Sequence, residues 1–161
     1  MPACVGYGWA HWLDAAPYRQ YLNPVGIYTV AQYFDEWSGT DYEGTSVRAG
    51  AKVLQLLGAI GPYLWAGNAT IVANHILTKG PVVIGTNWYE GMDLLTMELT
   101  GPILGGHCYC LTGVNVLTGL FRVKNSWGGA GEGDLPFKVL NKLLQEGGEA
   151  CVGVETQMRA T

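Results

Sequence analysis

The sequence is short of charge. Only 14% of its residues are Asp, Glu, Lys or Arg, against roughly 25% in an average soluble protein. The net charge is −4, so no basic field exists to attract a nucleic acid, and that class of partner is excluded. Absent too is any apolar run of the roughly 18 residues that a membrane-spanning helix needs. The first residues show neither a basic n-region nor a separate apolar h-region, so no signal peptide is read. No membrane partner is expected, and the compartment is left open. Cysteines are few: Cys4, Cys108, Cys110 and Cys151. They form no C-x-x-C pair, and His11, His75 and His107 are the only histidines. A structural zinc site, or any other metal or cofactor, is therefore not expected. Disulfides are not needed either, because 161 residues bury a sufficient core without them.

What the sequence does have is apolar surface and turns. Hydrophobic residues make up 48% and glycines number 24, the profile of a compact chain rather than a disordered one. The first half reads helical. Val5, Trp9, Trp12 and Leu13 form a helical stripe from Cys4 to about Ala15, with Pro2 just ahead of it and Pro17 beyond its end. Pro24 predicts an extended or turn segment around Asn23. A short helix is expected from Thr29, as cap, to Trp37. Gly39 to Gly44 reads as a polar loop. Thr45 or Ser46 then caps a further helix bearing Val47, Val53, Leu54 and Leu57, which Gly58 ends. Residues 68–79 form one more amphipathic helix, stopped by Gly80-Pro81.

The second half turns to strands. Val82 to Gly85 is a short buried strand. His107–Val114 and Gly119–Lys124 form a hairpin about a turn at Asn115 to Thr118. Residues 137–145 are helical, and a last strand covers Cys151 to Thr156. On such strands Cys108 and Cys110 share a face and read as two small buried hydrophobes. Helices first and strands later give an α+β protein with a mostly antiparallel sheet, and a cleft between the halves follows naturally.

Cys4 opens a helix, where the positive end of the helix dipole favours a thiolate. A thiolate nucleophile needs an imidazole beside it, and that imidazole needs a partner for its other nitrogen. His11 lies about 10 Å along the same helix, too far to pair directly. His75 sits among apolar helix residues and reads as a surface or half-buried histidine. His107 follows Gly105-Gly106, small residues that let a backbone or a substrate come close. Asn125 ends the strand that pairs with the strand of His107. Its amide can accept from the ring, and Trp127 can cover the bond. Alone, Asn125-Ser126 would be turn chemistry; with Cys4 and His107 in order, it completes a constellation.

In these residues the chain resembles the papain-like cysteine peptidases, over nearly its whole length. KNSWG is the most specific match, within FRVKNSWGGAGEGD. GGHCYCLTGVN is similar to the family's histidine strand, and ACVGYGWA to the nucleophile helix of short bacterial and phage-type members. GTSVRAGAKVLQLLGAI, GPVVIGTNWYEG and EACVGVET are similar to the second helix, the strand before the histidine and the last strand. The resemblance implies a papain-like fold as a single domain over 1–161. Its helical half would cover about 1–66 and its β-rich half about 67–161, with the active-site cleft between them. It implies Cys4 as nucleophile, His107 as general acid and base, and Asn125 as the group that orients the ring. Gly44, Thr45, Ser46, Gly106 and Trp127 are the expected substrate-binding residues. Gly44 occupies the place where members pair their backbone with an extended peptide. The implied activity is a thiol-dependent hydrolase cleaving a peptide or protein substrate through an acyl-enzyme.

The sequence departs from the pattern at three places. C-G-S-C-W is replaced by Pro2-Ala3-Cys4-Val5. His107 follows Cys4 by 103 positions (107 − 4), where roughly 130 or more is usual. No glutamine stands among the residues before Cys4, although the family takes an oxyanion donor from there. Loss of one such donor costs about 10²–10³ in turnover. A missing N-terminal segment or another chain would have to supply it. The alternatives are a cysteine amidase or acyltransferase acting on cell-wall peptides, and a catalytically impaired papain-like module of a larger phage or bacterial assembly.

Overall fold

The apolar stripe of the first helix is the centre of the helical layer. In the computed structural model, which describes residues 2–94, 96–128 and 131–155, α1 spans Cys4–Asp14 and buries Val5, Trp9, Trp12 and Leu13. The indole N–H of Trp9 donates to the Val47 carbonyl at 3.1 Å, and that of Trp12 to the Pro81 carbonyl at 2.9 Å. Removing either indole would cost roughly 3–5 kcal/mol. These two anchors fix the helix that carries Cys4.

The next helix starts earlier than its sequence suggests. It is α2, Pro24–Ala31, and not a helix from Thr29 to Trp37. Pro24 takes the first helical position, where its missing N–H costs nothing. Asn23 stays extended and caps the helix, its side chain accepting from the Val25 and Gly26 N–H groups. A Cβ on Gly6 would collide with the Pro24 carbonyl. That close contact between α1 and α2 is why a residue costing about 1 kcal/mol in a helix interior stands there. Residues 32–46 are turns, bends and irregular backbone. Ser46 then caps α3, Val47–Leu56, by accepting from the Ala49 N–H. Asn68 caps α4, Ala69–Thr78, in the same way, and α5 is Phe137–Gln145.

Six strands form one sheet: β1 Ile60–Trp65, β2 Val82–Tyr89, β3 Ile103–Asn115, β4 Leu120–Lys124, β5 Glu132–Pro136 and β6 Glu149–Glu155. Their order is β1-β6-β2-β3-β4-β5, and every neighbouring pair is antiparallel. Thr156, the expected end of the last strand, lies outside the described residues. The sheet has helices on both faces. Alternation along the strands sends Val83, Cys108, Cys110 and Cys151 to the layer of α1–α3. It sends Val82, Ile84, Tyr109, Leu111, Ala150 and Val152 to the layer of α4 and α5. The helical first half therefore rests on a sheet built mostly from the second, and contributes its own edge strand, β1, to that sheet. No helix among the described residues is long and apolar enough to cross a membrane.

Candidate active site

Three elements, α1, β3 and the end of β4, supply the candidate residues. Cys4 is the first residue of α1 and is half-buried. Asn23, Ser46 and Asn68 cap α2, α3 and α4 with their side chains, but Ala3 gives α1 no such cap. The first N–H groups of an α-helix have no partner within it, so among the described residues α1 opens with donors that no side chain caps, beside a thiol. His107 stands on β3, opposite Thr86 of β2. Asn125 follows the last residue of β4, where Lys124 pairs with Cys110 of β3. The hairpin register thus carries Asn125 back to His107.

His107 Nε2 lies 2.7 Å from Asn125 Oδ1. The Ser126 N–H donates to that same Oδ1, also at 2.7 Å. A backbone N–H only donates, so this contact identifies the atom as the amide oxygen. An oxygen acceptor requires His107 Nε2 to carry the proton. In the neutral ring, Nδ1 then keeps its lone pair and is the nitrogen free to accept a proton. Asn125 is buried, and its Nδ2 has no hydrogen-bond partner among the described residues.

Aromatic rings enclose the imidazole. Trp127 stacks on it with centroids 5.8 Å apart, and Trp88 meets it edge-on at 4.8 Å. Trp88 and Trp127 touch each other at 5.5 Å. Burial lowers the pKa of His107 below the ordinary histidine value, and the Asn125 hydrogen bond only partly offsets this.

A cleft of about 1010 Å³ opens in front of these groups. Cys4, Gly44, Thr45, Ser46, Gly106 and His107 line it together. Asn125 and Trp127 sit at the ring of His107 rather than in the cleft wall. Gly44 has φ +100°, a conformation that favours glycine. Its N–H donates to Tyr28 Oη and its carbonyl accepts from Gln32 Nε2, both at the long distance of 3.3 Å.

The other thiols differ from Cys4. Cys108, Cys110 and Cys151 are buried. Burial pushes Cys108 and Cys110 far up, and Cys151 up to about 12. Among the described residues no group of three or more His, Cys, Asp or Glu is placed to hold a metal. Sequence reasoning missed Trp88 and the Tyr28, Gln32 and Asp35 contacts behind the cleft wall. Trp88 had a signal, because it stands two residues from Thr86 on one strand and so shares its face. The wall contacts had none, since they join an irregular segment to a helix end.

No protein-family model matches this sequence, and no curated protein matches it significantly. Solved structures do. Xylellain, a cysteine protease from Xylella fastidiosa, superposes with a TM-score of 0.77 at 18% identity, over 96% of this chain and 80% of its own. The peptidase domain of Streptococcus ComA, a bi-functional ABC transporter involved in quorum sensing, gives 0.65 at 9% identity, over 96% of this chain and 93% of that one. Digestive procathepsin L2 from the larval midgut of Tenebrio molitor gives 0.56 at 16% identity, over 95% of this chain and 60% of that longer one. With its helical layer, its antiparallel sheet and these neighbours, the chain has the fold of the papain-like cysteine peptidases.

Proposed function

We propose that this protein is a cysteine peptidase in which Cys4, His107 and Asn125 act as nucleophile, acid–base and ring-orienting group. The observation that carries this reading is the 2.7 Å bond from His107 Nε2 to Asn125 Oδ1, in a ring that lines the same cleft as Cys4. The Cys4 thiol gives its proton to His107 Nδ1, and the sulfur attacks the substrate carbonyl carbon. The carbonyl oxygen becomes an oxyanion, held by the N–H groups at the start of α1. His107 passes its proton to the leaving amine as the C–N bond breaks, which leaves a thioester on Cys4. Water then loses a proton to His107 and attacks the thioester. The carboxylic acid departs and the thiol is restored. The substrate lies as an extended strand along Gly44, Thr45 and Ser46, with Gly106 beside the scissile bond and Trp127 over the ring. Supply of a further oxyanion donor by a segment or chain outside these 161 residues belongs to the same proposal.

The test is hydrolysis of a mixed peptide library, read by mass spectrometry of the products. Cleavage should vanish in Cys4→Ala and in His107→Ala. A parallel incubation with cell-wall muropeptides separates the classes: cutting there alone makes the protein an amidase. No cutting of either, with no faster alkylation of Cys4 than of the buried thiols, makes it a non-catalytic module.

A further inference from the structure

The cleft wall that carries Gly44, Thr45 and Ser46 belongs to no helix or strand. It lies in the irregular stretch between α2 and α3, so something outside regular secondary structure must hold it. Asp35, just past the end of α2, makes three hydrogen bonds into this stretch. Its Oδ1 accepts from Tyr42 Oη at 2.6 Å and from the Trp37 N–H at 3.1 Å, and its Oδ2 accepts from Thr45 Oγ1 at 2.7 Å. Gln32, buried, adds bonds from its Nε2 to the carbonyls of Tyr42 and Gly44. The short distances fall at Asp35, as expected where the acceptor is ionised. Burial alone would raise its pKa, but the Tyr42, Thr45 and Trp37 bonds outweigh it and hold the carboxyl below its ordinary value. Lys52 of α3, whose Nζ donates to the Phe34 carbonyl, adds a positive charge that lowers this pKa further.

We propose that Asp35 is the positioning residue of the substrate-binding wall: through Tyr42 Oη, Thr45 Oγ1 and the Trp37 N–H it fixes residues 42–46 where an extended peptide pairs with them. This rests on the peptidase reading above. Asp35 is absent from the cleft lining and acts only through the residues it holds. Thr45 and Tyr42 both line the cleft and both hang on the same carboxylate. Loss of Asp35 therefore loosens the wall at two points while leaving Cys4, His107 and Asn125 on their own elements.

The experiment compares two thiol reagents. Iodoacetamide is small and reads Cys4 with His107. A peptidyl chloromethyl ketone alkylates the same sulfur but must first seat its peptide along the wall. In Asp35→Leu the peptidyl reagent should lose between about tenfold and a hundredfold in rate, the range given by a misplaced positioning segment. The iodoacetamide rate at Cys4 should stay within about twofold. Asp35→Asn keeps an acceptor for Tyr42 and Trp37 and should recover most of the peptidyl rate. If Asp35→Leu does not fold, Asp35→Ala removes the same acceptor without adding a bulky apolar side chain and should show the same selective loss. Equal loss for both reagents, or no loss for either, overturns the positioning role. A wild-type protein that shows the peptidyl reagent no preference over iodoacetamide overturns the peptidase reading, and the role of Asp35 with it.

Discussion

Asn125 Oδ1 accepts from two donors at once, His107 Nε2 and the Ser126 N–H, each at 2.7 Å. The backbone contact fixes the amide, the amide fixes the tautomer of the ring, and the tautomer turns the basic nitrogen away from Asn125. A polar bond this buried is also a structural commitment, because a ring N–H left without a partner costs about 1–3 kcal/mol.

Asn125→Ala should therefore act on both rate and stability. We expect turnover to fall by about a hundredfold with KM little changed, since only the ring is misplaced. Urea unfolding should report a loss of roughly 1–3 kcal/mol. Asn125→Asp is the informative second variant. It keeps an acceptor for both donors, so it should retain the stability, while its charge should raise the pKa of His107. The acid limb of the kcat/KM profile would then move to higher pH. An unchanged profile in Asn125→Asp would mean that the amide does not set the ring's protonation.

Thiol chemistry gives a prediction that needs no substrate. Cys108, Cys110 and Cys151 are buried and held protonated by desolvation, whereas Cys4 is half-buried on the cleft. At neutral pH one equivalent of iodoacetamide should label Cys4 at least about tenfold faster than any other cysteine. Peptide mapping after a short pulse would read this directly. In His107→Ala the advantage of Cys4 should drop, because its proton acceptor is gone. Comparable labelling of all four thiols would remove the nucleophile.

The elements that the sequence foretold are those with strong periodicity and a cap. The apolar stripe behind Cys4 is α1, and the helix at 137–145 and the hairpin about Asn115–Thr118 also lie where they were expected. The strands β1 and β5 escaped notice for one physical reason. They are the two edges of the sheet. An edge strand satisfies one neighbour only, so it tolerates Gly61-Pro62 in β1 and Glu132-Gly133-Asp134 in β5. Neither segment needs the alternation that marks a strand. The candidate triad was legible because its chemistry is written in residue types. Trp88 was legible only as a strand residue sharing a face with Thr86, because its place beside His107 depends on how β2 pairs with β3. Asp35 was not legible at all, because its role arises from how an irregular loop folds back on α2.

All three histidines have their pKa lowered, chiefly by burial, and this fixes the sign of one pH effect. As pH falls through the ordinary histidine value near 6.5, the unfolded chain binds protons that the folded chain refuses. Stability from this source is complete above about 6.5 and is lost as pH falls through the lower folded values. Glu149 works the other way: burial raises its pKa above the ordinary 4.5, so the penalty of burying its charge is relieved as pH falls through its raised value toward 4.5, which opposes part of the histidine effect. Thermal unfolding at pH 7.5 and 5.5 should show a lower midpoint at 5.5. The slope cannot exceed about 1.4 kcal/mol per pH unit for each histidine, because each takes up one proton. His75→Gln, outside the cleft, should flatten that dependence without changing the rate of Cys4 alkylation. A midpoint that rises on acidification would contradict the burial of these rings.

The charge lining the cleft bears on which peptides it takes. Glu36, Glu43 and Glu149 line it, against one Lys or Arg among the described residues, Arg48. Arg48 is engaged already: it pairs with Glu36 at 3.9 Å and lies 5.5 Å over the ring of Trp65. All four groups reach solvent, so their effect on stability is small; the field they set up inside a concave wall is a different matter. Peptides bearing Lys or Arg should be cut faster than otherwise identical peptides bearing Glu, by about tenfold in kcat/KM at low ionic strength. The difference should sit mainly in KM and should shrink in 0.5 M salt, roughly, where the screening length falls to a few ångströms. Glu149→Gln and Glu43→Gln should each narrow the gap, and the pair together more than either alone. A preference that persists undiminished in high salt would have to come from shape or hydrogen bonding rather than from these carboxylates.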